Sequence, residues 1–231
     1  MNRCALLWMM ILMTAGGVLA QAPNDSSFLS EMALPALTIA LQDCDPTVRQ
    51  AAVYAIGELG PAARPAIPAL AELIRDPDRY VAIDASKTLE TMGAAAVPSL
   101  TPLFCDNNPR VRKLAMRTLQ QIGPDAKAAI PALTAGLHDC DPSVRQQAIY
   151  AIAEMGPEAR SAIPDLAELL RDRDGCVAND ASNTLEKMGP KAVPSLTPLL
   201  QDVNPMVRKR AARTLQQIAA VTVLRASKGL P

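Results

Sequence analysis

Few side chains in this 231-residue sequence could carry nucleophilic or metal chemistry: it holds one histidine, His138, and five cysteines. A single imidazole cannot build a His-based metal cluster, and it leaves a Ser/His/Asp set only one candidate base. The expected role of His138 is that of a polar residue beside a turn. Cys4 sits at the edge of an apolar N-terminal stretch, which leaves Cys44, Cys105, Cys140 and Cys176 in the body of the chain. An even count of thiols in an oxidising compartment raises the question of disulfides. Cys44 and Cys140 occupy equivalent turns about 30 Å apart at ~10 Å per helix layer, too far to pair. Cys140 with Cys176, in turns of adjacent repeats, is the one pairing left to test; otherwise free, partly buried thiols are expected. No two cysteines have ligand-like spacing. Asp172-Arg173-Asp174-Gly175 opens like a calcium loop but lacks the later ligands and the closing Glu, so it is read as a capped turn. The expectation is no catalytic residue, no metal and no cofactor.

The elements that carry these residues are repeated. Aligning Val48, Val81, Val111, Val144, Val177 and Val207, spaced by 33, 30, 33, 33 and 30 residues, brings further columns into register. Thirteen residues before each valine stands a proline, from Pro35 to Pro194. Five before it stands Asp43, Asp76, Asp106, Asp139, Asp172 or Asp202. Four after it stands an alanine, eight after it Ile or Leu, and five of the six units end in glycine. A shift of 96 residues superposes Pro35 to Ile122 on Pro131 to Ile218, so the array is a tandem duplication of a three-repeat block.

Each unit converts into two helices. Ala66 to Arg75 has helical apolar spacing, and Pro68 is tolerated in the first turn, where no intrahelical amide bond is lost. In the turn Asp43-Cys44-Asp45-Pro46, Asp45 can cap the second helix and Pro46 is preset for its first position. That helix is expected from about Pro46 to Leu59, stopped by Gly60 and Pro61. Val48, Ala52, Ala55, Ile56 and Leu59 form a stripe that no unit can bury alone but that stacking can bury.

This pattern, Ala-Ile-Pro-Ala-Leu then Asp-x-[Asp/Asn]-Pro-x-Val-Arg, Ala-x-x-Ala-Ile/Leu and Gly, resembles the HEAT repeat. Specifically, it resembles the short bacterial form named for phycobilisome lyase subunits, over residues 28 to 219. The resemblance implies an all-α solenoid of six helix pairs. It also implies a hydrogen-bonded ladder of turn Asp and succeeding Arg, here Asp43, Arg49, Asp106, Arg112, Asp139, Arg145, Asp202 and Arg208. Repeats two and five carry Ala82 and Ala178 at the Arg position, so two rungs are expected to be missing. The same two repeats have Arg79 and Gly175 in place of the leading proline, and a local change of curvature is expected there. A HEAT-type hydroxylase family holds a di-iron centre on several His-Glu pairs, and this sequence has none.

Residues 1–20 read as a signal peptide: Arg3, an apolar run to Ala15, Gly16-Gly17, then Val18-Leu19-Ala20 before the expected cleavage. Residues 21–27 form a short linker and 220–231 a C-terminal tail or cap. The expected location is secreted or periplasmic, without stable membrane insertion after cleavage. The 23 Lys and Arg are balanced by 23 Asp and Glu, so no global field attracts nucleic acid or an anionic surface. Positions two, six and ten after each valine share a face of the second helix. It carries Tyr54, Lys87, Lys113, Arg117, Tyr150, Lys209 and Arg213, side-chain types that anchor interfaces. If the second helices line the concave surface, as HEAT arrays usually arrange them, these residues point to an extracytoplasmic scaffold binding a protein or extended peptide in a groove. Two alternatives are an accessory, chaperone-like factor for cofactor attachment to a client and a self-associating structural unit.

Overall fold

The computed structural model describes the backbone of residues 26–227 and the side chains of residues 33–224. The expected signal peptide and most of the linker therefore lie outside the described residues, as do residues 228–231 of the tail. Among the described residues every regular element is helical. The chain divides into two compact units, Met1–Met92 and Gly93–Pro231. The division falls between the second and third helix pairs, not where the two sequence copies meet.

The first unit contains α1 (Ser26–Ala40), α2 (Pro46–Glu58), α3 (Ile67–Glu72) and α4 (Arg79–Met92). The second contains α5 (Val97–Leu100), α6 (Pro109–Ile122), α7 (Ile130–Gly136), α8 (Pro142–Met155), α9 (Ile163–Glu168), α10 (Gly175–Met188), α11 (Val193–Leu196) and α12 (Pro205–Ser227). Odd-numbered helices open each pair and even-numbered ones close it. Within the units, successive even helices pack side by side: α2 on α4, then α6 on α8, α8 on α10 and α10 on α12. Between them sit the repeat apolar positions Val53, Ile56, Leu89, Leu119, Ile149, Ile152 and Leu185, all buried. Alanines at Ala52, Ala85, Ala115, Ala148, Ala181 and Ala211 are also buried and keep the helices close.

The turn motif explains how the second helix of each pair starts. Asp43 Oδ1 accepts the Asp45 N–H at 2.8 Å, and Asp45 Oδ1 accepts the Thr47 N–H at 2.8 Å. The first carboxylate folds the turn and the second caps the helix. Asp139 and Asp141 repeat this ahead of Ser143. Where the leading proline is absent, Asp78 and Asp174 cap α4 and α10 in the same way, so both helices begin in register at Arg79 and Gly175. Gly60 and Gly123, at φ 57° and 71°, turn the chain out of α2 and α6 in a conformation that strains any side chain with a Cβ. Each glycine opens a 3-10 segment, Gly60–Ala66 or Gly123–Ala129, that leads into the next helix.

Two sequence expectations change. The first helix of a pair is shorter than its apolar spacing suggests, α3 ending at Glu72 and giving way to a 3-10 turn over Leu73–Arg75. In α5 and α11 the α-helical part is four residues long, because Pro102 and Pro198 lack the N–H that would continue it. The expected tail from residue 220 is not a separate cap: α12 runs without a break from Pro205 to Ser227, and Val221 and Val223 along it are exposed.

Candidate interaction surface

The ladder residues define how one pair is keyed to the next. Arg112 Nε and NH2 donate to the two oxygens of Asp139 at 2.6 and 2.7 Å. Its NH1 donates to the backbone carbonyls of Asp106 and Asn107, in its own turn, at 2.8 and 3.3 Å. Arg145 makes the same fork to Asp172 at 2.7 and 2.8 Å, and Arg49 to Asp76 at 2.7 Å through both nitrogens. Asp76 and Asp172 stand in the turn column of the sequence, but their role as acceptors comes only from the offset of one repeat between donor and acceptor. Asp43 and Arg208, at the two ends of the series, make only their local contacts among the described residues. Asp106 supplies a carbonyl to Arg112 and Oδ1 to the Asn108 N–H.

The rung expected to be missing at Ala178 is filled from another element. Arg171, at the end of the 3-10 segment Leu169–Arg171 that follows α9, donates Nε to Asp202 Oδ2 at 2.6 Å and is also paired with Glu168. Arg171 stands six residues before its repeat valine, where repeat two has Arg75, so the two repeats without the ladder arginine share an arginine in this other column. Glu168 and Asp202 hold its guanidinium above the usual value, and the Asn204 N–H together with Arg171 holds the Asp202 carboxyl below its own. At Asp139 burial pulls the carboxyl up, but the hydrogen bonds of Arg112 and the Asp141 N–H outweigh it, and the net direction is down. His138 Nε2 lies 2.9 Å from Asp165 Oδ1 of the next pair, a further contact between repeats at the edge of a turn.

The four described cysteines are thiols and are exposed rather than partly buried, and Cys140 and Cys176 are not joined. Cys140 Sγ sits 3.8 Å from Arg112 NH2. No group of three or more His, Cys, Asp or Glu side chains among the described residues is placed to hold a metal ion. On the odd-helix side of the second unit a hollow of about 680 Å³ is lined by Val97, Pro98, Pro102, Phe104, Ala132 and Gly136, with Cys105 and Asp139 at its edge. Gly136 is there to admit Met116, since a Cβ on it would lie 2.5 Å from Met116 Cε.

The even helices carry the exposed polar and aromatic face. In the first unit Tyr54 is 58% exposed and Lys87 is exposed on α4. Gln50 Nε2 donates to Asp84 Oδ2 at 2.5 Å, and Lys87 Nζ lies 3.4 Å from the other oxygen of the same buried carboxylate. In the second unit Lys113, Arg117, Lys209 and Arg213 are exposed, and so is Tyr150. The Tyr150 hydroxyl donates to Asp180 Oδ2 at 2.8 Å and Gln146 Nε2 to the same oxygen at 2.9 Å. That hydrogen bond, with partial burial, raises the Tyr150 pKa. Asp180 is thus not an open negative charge on this face but the clamp that fixes a ring. The pairing of Asp84 and Asp180 with these residues depends on the register between neighbouring even helices, which the sequence does not show.

The turn carboxylates, the caps and the arginine rungs recur pair after pair, and models of HEAT repeats match residues 14–90, 67–140, 129–159 and 192–222. The chain belongs to the HEAT-repeat family. The comparison with curated proteins gives no match. Among solved structures, one concerned with TOG–tubulin binding specificity is similar over 93% of this chain and 97% of its own, at 16% identity and a TM-score of 0.57. Importin beta is similar over 83% of this chain and 32% of its own, at 15% identity and a TM-score of 0.57. The CpcE–CpcF complex of phycocyanin lyase from Nostoc sp. PCC7120 is similar over 65% of this chain and 98% of its own, at 24% identity and a TM-score of 0.51. At these identities the likeness is one of fold.

Proposed function

We propose that this HEAT-repeat protein is an extracytoplasmic scaffold that binds a protein or extended peptide through the exposed face of its even-numbered helices. The observation that carries the reading is that face in the second unit. Across α6, α8, α10 and α12, Lys113, Arg117, Lys187, Lys209 and Arg213 are exposed beside the exposed carboxylate of Glu154, with Tyr150 pinned among them by Asp180. A ring held in one orientation loses little entropy on binding, and Arg and Tyr are common anchors of interfaces. The expected ligand therefore presents acidic side chains to this unit. Support for an extracytoplasmic location comes from the composition of residues 1–20, a basic start, then an apolar run and Val18-Leu19-Ala20.

The test is a pull-down from the extracytoplasmic fraction with the wild-type chain and a Tyr54→Ala/Tyr150→Ala variant. The expected outcome is a specific protein partner captured by the wild type and lost by the variant, with far-UV circular dichroism unchanged. Equal capture by both chains contradicts the surface assignment. Co-purification of a pigment or metal in place of a protein points to the cofactor-attachment alternative.

A further inference from the structure

The last helix pair of the second unit presents to solvent the surface that each earlier pair of that unit hides under its successor. Leu200 stands seven residues before its repeat valine, where the preceding pairs have Phe104, Leu137 and Leu170. Those three are 8%, 0% and 0% exposed, and Leu200 is 39% exposed. Val193 likewise stands where Val97, Ile130 and Ile163 are buried, and it is exposed. Val203, 96% exposed, and Met206 add to the same end. Stacked repeats ordinarily finish on a polar outer face, and this one is apolar.

That end also carries half of a rung. Arg208 NH1 donates to the carbonyls of Asp202 and Val203 at 2.8 and 3.1 Å, the inner part of the pattern at Arg112 and Arg145. In those two arginines the outer nitrogens go on to a carboxylate of the next pair; Arg208 is exposed and has no such carboxylate among the described residues. The complementary half lies in the first unit. Asp43 Oδ1 accepts the Asp45 N–H just as Asp139 and Asp172 accept the N–H two residues on, and no arginine side chain among the described residues donates to the Asp43 carboxylate. Ile39, in the last turn of α1 ahead of it, is exposed.

We propose that a second copy of this chain docks head to tail on this end, its first helix pair covering Val193, Leu200 and Met206 while Arg208 forks onto the second copy's Asp43. Two observations select that occupant: the charges are complementary, and the contact continues the interface already formed between repeats inside the chain. Such an interface joins two different faces, so association proceeds past a dimer unless the rotation closes a ring. The surface is the end of the array, not the even-helix face, and either proposal can fail without the other.

Analytical ultracentrifugation of the full chain over a range of concentrations tests it, with Arg208→Asp, Asp43→Arg and Leu200→Ser variants checked for helicity. The expected result is reversible association of the wild type beyond a dimer, weakened at least tenfold in each variant alone. Mixing Arg208→Asp with Asp43→Arg in equal amounts restores it, because each reversed charge then meets its complement. A wild type that stays monomeric overturns the proposal. So does association that all variants share, as the apolar N-terminal stretch alone would give, or a mixture no better associated than its components.

Discussion

Arg112 and Asp139 show what a single rung is worth. Their side chains are each 10% exposed, and the fork is bidentate. Removing one partner of a mostly buried pair strands the other charge, which costs about 3 kcal/mol or somewhat more. Lys87, whose side chain is 67% exposed, reaches the buried Asp84 only at 3.4 Å, and with its ammonium hydrated and mobile the contact is worth below about 1 kcal/mol by comparison. Because the Asp139 carboxyl is held below its ordinary value, its contribution is fully present above the unfolded aspartate pKa of about 3.9 and is lost as pH falls through the folded value. Arg112→Ala is therefore expected to lower unfolding free energy by about 3 kcal/mol at pH 7. The gap from wild type should narrow once pH drops below about 4, as read by urea unfolding at the two pH values. A gap of the same size at both would mean that the loss comes from the stem of Arg112 and not from the rung. The positions of Arg112 and Asp139 are legible in the sequence, since both sit in repeat columns. The role of Arg171 is not: Arg75 and Arg171 share a column in the two repeats without the ladder arginine, but that the Arg171 guanidinium reaches Asp202 emerges only from the packing of one pair on the next.

At the level of elements, the start and stop of each even helix come from local chemistry. Asp-x-Asp-Pro and Asp-x-Asn-Pro place one carboxylate to fold the turn and one acceptor to cap the helix, and Gly123 at φ 71° ends α6. A Cβ on Gly123 would meet nothing within 4 Å, so the cost of Gly123→Ala is backbone strain alone, about 1–3 kcal/mol. Gly123→Asn is expected to cost as much, because at ψ −145° the backbone lies outside the left-handed helical region that asparagine tolerates, and denaturant midpoints of the two variants check it. A midpoint for Gly123→Asn well above that of Gly123→Ala would show that the turn relaxes into the left-handed helical region. The repeat pattern does not reveal the shortness of α5 and α11, where Pro102 and Pro198 break spacing that looks helical. Nor does it reveal the Tyr150–Asp180 contact, which needs the packing offset between α8 and α10. Periodicity assigns a residue to a face; it does not fix the sliding of one helix against its neighbour.

For the molecule as a whole, repetition makes the fold readable and leaves the function underdetermined. Six copies of one turn motif identify the HEAT-repeat family, and the family models match over most of the chain. The side chains that differ between copies carry the proposed function: Tyr54 and Lys87 in the first unit, and Lys113, Arg117, Tyr150, Lys209 and Arg213 in the second. All are exposed on helices whose opposite stripe is buried. The structure exposes this face and, separately, the hollow on the odd helices, and the partner is assigned to the former. Site-specific photo-crosslinking separates the two most directly. A photoreactive residue at Arg117 or Arg213 is compared with one at Pro131 or Ser161, exposed positions on the odd-helix side or just ahead of it. Crosslinks to one protein partner are expected from the first pair and none above background from the second. Crosslinks from Pro131 or Ser161 in place of Arg117 and Arg213 would place the partner on the odd helices and overturn the assignment.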